Sequence, residues 1–262
     1  MTTPAPRAAR AGPASRIRAF IFDMDGTLAD TEGLKAATYQ HLVQKLLKAD
    51  APDPRVLTLY PTLVGGTDEQ MVRALVDLFG LAGPLKPYAH KYGVQEAWLA
   101  LHLLRFDTYR ATFATAEKLS QNSYPGTVQL VRDQAAAGRK VAVATSSPTD
   151  EAMRVVTALN LAGILSEVVG LDQVKRHKPD PEIYLLTASR IGVDPAHAVA
   201  IEDSPTGIRA ALAAGMSCIA IANPFTEKPL REQKFLEQRW VVYDRATLNR
   251  VVQERLSSLE QA

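Results

Sequence analysis

Between residues 17 and 22 the chain reads Ile-Arg-Ala-Phe-Ile-Phe, a short run of apolar, β-prone residues, and it stops abruptly at Asp23-Met24-Asp25-Gly26-Thr27-Leu28. Such a run suits a strand covered on both faces, as in a parallel sheet. The carboxyl end of such a strand is where open α/β sheets bind ligands, and Gly26 lets the chain turn sharply away. A strand followed by a solvated Asp-Gly turn accounts for Asp25 and Gly26. It does not account for a second acid, Asp23, at the last strand position.

The rest of the chain sorts into two patterns. From Thr31 to about Leu119 the apolar spacing is helical, with one helix ending at Pro52 and Pro54, a second capped by Thr67 with Gln70, and a third long stretch from Val94 to Leu119. The Gly- and Pro-rich segment 80–93 between the last two reads as a loop. Strands and helices then alternate: helix 126–137, strand 140–145, helix 148–160, strand 167–169, a helix opened by Asp180-Pro181, strand 198–202, helix 205–214, strand 218–222, strand 240–243 and a terminal helix. The predicted fold is α/β, a doubly wound parallel sheet with an inserted α-helical domain. The expected divisions are a tail over 1–16, a core of 17–32 and 122–262, and a helical insert over 33–121.

Parallel strands bring their carboxyl ends to one edge, and four polar groups sit there: Asp23 with Asp25, Thr145 with Ser146, Lys178, and Glu202 with Asp203. Helix capping accounts for Ser147 and Ser204, which precede Pro148 and Pro205. It leaves the acids, the hydroxyl and the lysine unexplained. Together they supply what phosphoryl transfer requires. A carboxylate is already ionised at neutral pH, so Asp23 can attack phosphorus without a base to activate it. Hard oxygen ligands from Asp23, the main-chain carbonyl of Asp25 and Asp203, with Glu202 nearby, suit Mg²⁺. Thr145, Lys178 and the main-chain N–H groups after Thr145 can hold phosphate oxygens, and Asp25 can protonate the leaving oxygen and then take a proton from water.

Asp23-Met24-Asp25-Gly26-Thr27-Leu28, Thr145-Ser146-Ser147, Lys178-Pro179-Asp180-Pro181 and Glu202-Asp203-Ser204-Pro205-Thr206-Gly207 resemble, in order, the four motifs of the haloacid dehalogenase superfamily. The helical insert after the first motif resembles its type 1 cap, and the closest branch is the β-phosphoglucomutase-like one. The resemblance implies a Mg²⁺-dependent phosphatase with catalytic Asp23, Asp25, Thr145 and Lys178. Implied metal ligands are Asp23, Asp25, Glu202 and Asp203, and the implied phosphate and substrate contacts are Gly26, Ser146, Lys35, Gly66 and Arg105. An acid at Asp25 argues against carbon–halogen and carbon–phosphorus cleavage. Two positions depart from the mutase pattern. Asp68 stands where the mutase grips a second phosphate with arginine, and Lys35 replaces a histidine. Asp68 also reads as a helix-start acid, Arg105 as a solvated helix residue, and Gly65-Gly66 as either a closing loop or a flexible helix entrance. The implied substrate is a small phosphorylated metabolite, a sugar or sugar-alcohol phosphate; the alternatives are a sugar phosphomutase and a non-catalytic phosphate-binding regulatory protein.

Charge adds exclusions. Lys and Arg number 30 against 28 acids, a net +2, and Arg7, Arg10, Arg16 and Arg18 all precede the first acid, so the remainder is near neutral. That gives no electrostatic case for nucleic acid or membrane partners. The single cysteine, Cys218, lies in an apolar run and reads as a core thiol. Residues 1–16, with Pro4, Pro6, Gly12 and Pro13, read as a tail rather than a secretory signal, and an Arg-rich transit segment is the lesser reading. A cytoplasmic monomer is expected.

Overall fold

A computed structural model describes residues 16–63 and 68–261. At its centre is β1 (Ala19–Phe22), all four residues of which are buried. The other strands are β2 (Lys140–Ala144), β3 (Glu167–Val169), β4 (Ala198–Glu202), β5 (Ser217–Ile221) and β6 (Val241–Val242). They form one parallel sheet in the order β3-β2-β1-β4-β5-β6. The chain therefore runs outward from β1 through β2 and β3, then restarts at β4 on the other side of β1. This reversal makes the β1/β4 boundary the topological switch point, where open sheets leave a crevice. Register brings the ends level: Phe22 lies opposite Val143 and Ile201, so Asp23, Ala144 and Glu202 emerge together.

Among the described residues six helices lie between β1 and residue 122: α1 (Thr31–Leu47), α2 (Arg55–Leu63), α3 (Asp68–Phe79), α4 (Ala82–Tyr92), α5 (Ala97–Thr108) and α6 (Ala116–Gln121). The remaining helices are α7 (Pro125–Ala136), α8 (Thr149–Ala158), α9 (Glu182–Arg190), α10 (Pro205–Ala213), α11 (Glu227–Glu232) and α12 (Leu248–Glu260). Side chains start several of them. Asp30 accepts from the N–H of Gly33 at 2.9 Å to open α1, and Ser204 accepts from Gly207 at 3.1 Å to open α10.

Two expectations for the insert need correction. Segment 80–93 is not a loop but carries α4, in spite of Pro87 within it. Pro87 lies mid-helix and forfeits one hydrogen bond, to Gly83 in the first turn. Leu81 and Leu85, both fully buried, then hold the helix by packing. The stretch 94–119 is not continuous: α5 passes into one π-helical turn, Tyr109–Phe113, and the chain breaks at Ala114 before Thr115 caps α6. Helix α2, which follows Pro54, and the short α11 were not signalled by periodicity. The expected cap at Thr67 and the residues Gly65 and Gly66 lie outside the described residues, as does nearly all of the expected tail.

Two apolar clusters result. One surrounds the sheet and includes the free thiol of Cys218, as expected. The other belongs to the insert and runs from Ala36 to Leu104, with Leu42, Val56, Leu75 and Leu101 at its centre. Leu34, Tyr109 and Leu119 pack with the sheet instead. Among the described residues no helix is long and apolar enough to cross a membrane. Leu101 is fully buried in the insert's own cluster. Leu101→Ala is expected to cost about 2–5 kcal/mol in denaturant unfolding, through lost burial and the cavity it leaves.

Candidate active site

Asp23 follows β1 directly, its N–H donating to the carbonyl of Ile201 at 2.8 Å, and its side chain is buried. The ammonium of Lys178 lies between two acids, 2.7 Å from Asp23 Oδ1 and 2.6 Å from Glu202 Oε1, and also donates to the Ala144 carbonyl at 3.0 Å. Glu202 is fully engaged. Tyr184 donates to its Oε1 at 2.7 Å, while the N–H groups of Asp203 and Ser204 and the Ser204 hydroxyl donate to its Oε2. Asp203 accepts from Asn223 Nδ2 at 2.6 Å.

Asp25 sits in a different environment. Its Oδ1 accepts from the Thr31 hydroxyl and from Lys35 Nζ at 2.9 Å, its Oδ2 from Ser147 at 2.7 Å and Thr145 at 3.2 Å. Lys35 is shared with Glu32 at 2.8 Å, and Tyr60 of α2 donates to the other Glu32 oxygen at 2.6 Å. Gly26 turns the chain with φ of +75°, and a Cβ there would lie 2.2 Å from Asp203 Oδ2. Only glycine meets both conditions. The Gly26 carbonyl accepts from Arg245 at 2.7 Å, whose guanidinium stacks 3.4 Å over the Tyr124 ring.

The two aspartates are driven in opposite directions. Burial raises the Asp23 carboxyl; Lys178 opposes this, and Glu202 and Asp25 add to it. Asp203 is likewise raised by burial and then by Asp23 and Glu202. For Asp25 burial also acts upward, but Lys35 and the hydroxyls of Thr31 and Ser147 prevail and hold it at about 2. Asp23, Glu202 and Asp203 can each turn an oxygen to within 4.8 Å of the others, with one lysine among them. A buried surplus of carboxylate with hard oxygen donors fits a divalent cation such as Mg²⁺. Since both Glu202 oxygens already have donors, Asp23 and Asp203 are the acids best placed to hold it.

The sheet edge thus gathers Asp23, Asp25, Gly26, Thr145, Lys178, Glu202 and Asp203. Ser146 lies exposed at the rim, and Lys35 meets Asp25. Arg105 is not a solvated helix residue: it is 3% exposed and lies 3.8 Å over the Phe106 ring. Gly66 lies outside the described residues, and Asp68 is placed only as the first residue of α3. Ser147 is a correction, because the start of α8 has no side-chain cap and its hydroxyl goes to Asp25. Thr31, Tyr184, Asn223 and Arg245 had not been singled out. Asn223, the second residue past β5, follows the same strand-end logic as Asp23; the other three carry no sequence signal of their partners.

The family model for haloacid dehalogenase-like hydrolases matches residues 20–221, and the chain belongs to this family. It is 30% identical over 203 residues to a phosphorylated carbohydrates phosphatase of Thermotoga maritima, covering 78% of this chain and 84% of that one. It is also 30% identical to a phosphoglycolate phosphatase of Salmonella paratyphi A, over 87% of this chain and 89% of the other. The solved β-phosphoglucomutase of Clostridium difficile shares the fold, with a TM-score of 0.65 at 22% identity over 92% of this chain and 98% of that one. The chain is therefore an enzyme with a haloacid dehalogenase-type core and a helical cap inserted after β1.

The first turn of α10 packs against the acid cluster, so a Cβ on Gly207 would meet Glu202 Oε1 at 1.9 Å. With that carboxylate pinned from both sides, Gly207→Ala is expected to cost about 2 kcal/mol or more in chemical denaturation. Gly126→Ala in α7, where a Cβ meets nothing within 4 Å, serves as the control and is expected to be neutral or stabilising by up to about 1 kcal/mol.

Proposed function

We propose that this phosphoric monoester hydrolase is a Mg²⁺-dependent phosphatase of a small phosphorylated carbohydrate or polyol, working through an aspartyl-phosphate on Asp23. The observation that carries the reading is the division of labour between Asp23 and Asp25, two residues apart on one strand end but held by different partners. Asp23 Oδ bonds to phosphorus as the bond to the alcohol oxygen breaks, and Asp25 gives that oxygen a proton. Asp25 then takes a proton from water, which attacks phosphorus and frees phosphate and Asp23. Lys178 opposes the burial that raises the Asp23 carboxyl and, with the Thr145 hydroxyl and the main-chain N–H groups after it, steadies the phosphate oxygens. Mg²⁺ held by Asp23, Asp203 and the main-chain carbonyl of Asp25 would offset the repulsion between nucleophile and phosphate.

As arranged, Asp25 is a carboxylate and suits the second half-reaction. Its protonated form for the first half requires the Lys35 contact to loosen, and Lys35 sits on α1 at the start of the insert. Movement of the insert, 33–121, as a cap over the sheet edge would thus exclude water and reset Asp25 together. The Thermotoga maritima relative, named for phosphorylated carbohydrates, supports the substrate class.

The test is phosphate release from sugar, polyol, nucleotide and glycolate phosphates with Mg²⁺ or EDTA, run beside Asp23→Asn. Release is expected only with metal, and the substitution is expected to lower it at least about a thousandfold. Conversion of a sugar 1-phosphate to its 6-phosphate without net release would replace the phosphatase by a mutase. No metal-dependent turnover of any ester, or release that survives Asp23→Asn, would overturn the reading.

A further inference from the structure

A small cavity adjoins Asp25 where the π-helical turn meets the start of α8, lined by Met24, Asp25, Tyr109, Arg110, Glu151 and Arg154. Glu151 is only 6% exposed, and its Oε1 is buried without a hydrogen bond. Facing it at 3.6 Å is Arg110 Nε, also buried and also without a hydrogen bond. The other end of the guanidinium is taken: Arg110 Nη2 donates to Asp150 at 2.6 Å. An acid in the first helical turn has a structural use at the macrodipole. That use does not require burial, and it leaves two facing polar atoms unsatisfied, which is costly unless a ligand or water completes them.

The chemistry of the gap is selective. One side only accepts and the other only donates, at a separation too long for a direct bond but short enough for one oxygen to bond both. A hydroxyl does this, giving its proton to Glu151 and accepting from Arg110. A carboxylate or second phosphate has no proton to give and would meet the Glu151 charge. Nearby cations are already engaged: Lys35 faces Asp25 and Glu32, Arg110 faces Asp150 and Glu151, Arg154 donates to the carbonyls of Arg110 and Ala114, and the positive charge of Arg105 bears on Glu151 itself. Since Asp25 lines the same cavity and is the group proposed to protonate the departing oxygen, the alcohol half of the ester belongs on this side.

We infer that Glu151 and Arg110 form a hydroxyl-reading subsite for the leaving group, selecting phosphate esters of neutral polyhydroxylated alcohols over esters whose alcohol carries a carboxylate or second phosphate. This rests on the phosphatase reading and sharpens its substrate class. Glu151 is then a specificity residue, and none of the sequence motifs includes it.

Glycerol 3-phosphate and 3-phosphoglycerate test it, being of one chain length and differing at the far end as CH₂OH against carboxylate. The ratio of their kcat/KM values, measured on one preparation, is independent of how much enzyme is folded. The wild-type ratio is expected to favour glycerol 3-phosphate by about tenfold or more, and E151Q and E151A are expected to bring it close to one. A wild-type ratio near or below one, or a ratio that neither substitution moves even if the melting temperature falls, overturns the subsite and leaves Glu151 a structural residue of the seam. So does failure to hydrolyse either ester while p-nitrophenyl phosphate is turned over with dependence on Mg²⁺ and Asp23. Failure on all three, p-nitrophenyl phosphate included, would overturn the phosphatase reading itself.

Discussion

The Lys178 ammonium between Asp23 and Glu202 is the contact on which the rest of the sheet edge depends. Three carboxylates leave two adjacent strands at the switch point, and their desolvation and mutual repulsion oppose folding in this place. One lysine from the segment before α9 reaches both strands, at 2.7 Å and 2.6 Å, and Tyr184 and the main chain after β4 complete the coordination of Glu202. Removing one partner of such a buried pair typically costs about 3–5 kcal/mol, because the other charge is left uncompensated. Lys178 does not balance the acids one for one. The carboxyls of Asp23 and Asp203 are raised by burial and by the acids around them, and the relief a divalent cation would give them is the physical ground for expecting one here.

The close approach needed to build this cluster dictates the small residues around it. Gly26 brings its backbone against Asp203 and Asn223, and Gly207 brings the α10 turn against Glu202. Asn223 is itself fixed, its Oδ1 accepting from the N–H groups of Phe225 and Thr226. From the opposite side Arg245 ties the Gly26 carbonyl to the turn after β6. The loop after Asp25 is therefore clamped by groups from distant parts of the chain, as befits a proposed site that works through fixed charges rather than adaptable ones.

What the sequence revealed follows from what is local. The strand runs, the cap at Ser204 and the polar residues just past Phe22, Ala144 and β4 are set by short-range chemistry and parallel-strand geometry, and the sheet and the polar cluster at its edge followed from them. The helical insert was legible as a class but not in its parts. Pro87 argued for a loop, whereas packing of Leu81 and Leu85 held a helix; the π-helical turn at Tyr109 has no spacing signal of its own. Ser147 was assigned to capping by its place before Pro148, and only the spatial approach of β2 to Asp25 shows its partner. Thr31, Tyr184 and Arg245 depend on contacts from outside their own elements, which a linear pattern does not encode.

Asp25 joins these two levels. Its Oδ2 is held by Thr145 and Ser147 of the sheet edge, its Oδ1 by Thr31 and Lys35 of α1. Lys35 is tied through Glu32 to Tyr60 of α2, and the Tyr60 ring meets Phe225 beyond β5 edge-on at 5.8 Å. One carboxylate thus reports the position of the insert to the sheet edge. In the proposed reaction this linkage has a chemical consequence: Lys35 is foremost among the groups that offset burial and favour Asp25 as a base, so loosening that contact shifts Asp25 toward its protonated form. The residue at Lys35 therefore matters as the partner that sets Asp25's protonation state, and the search for substrate recognition moves to the other wall of the cavity, where Glu151 and Arg110 face each other.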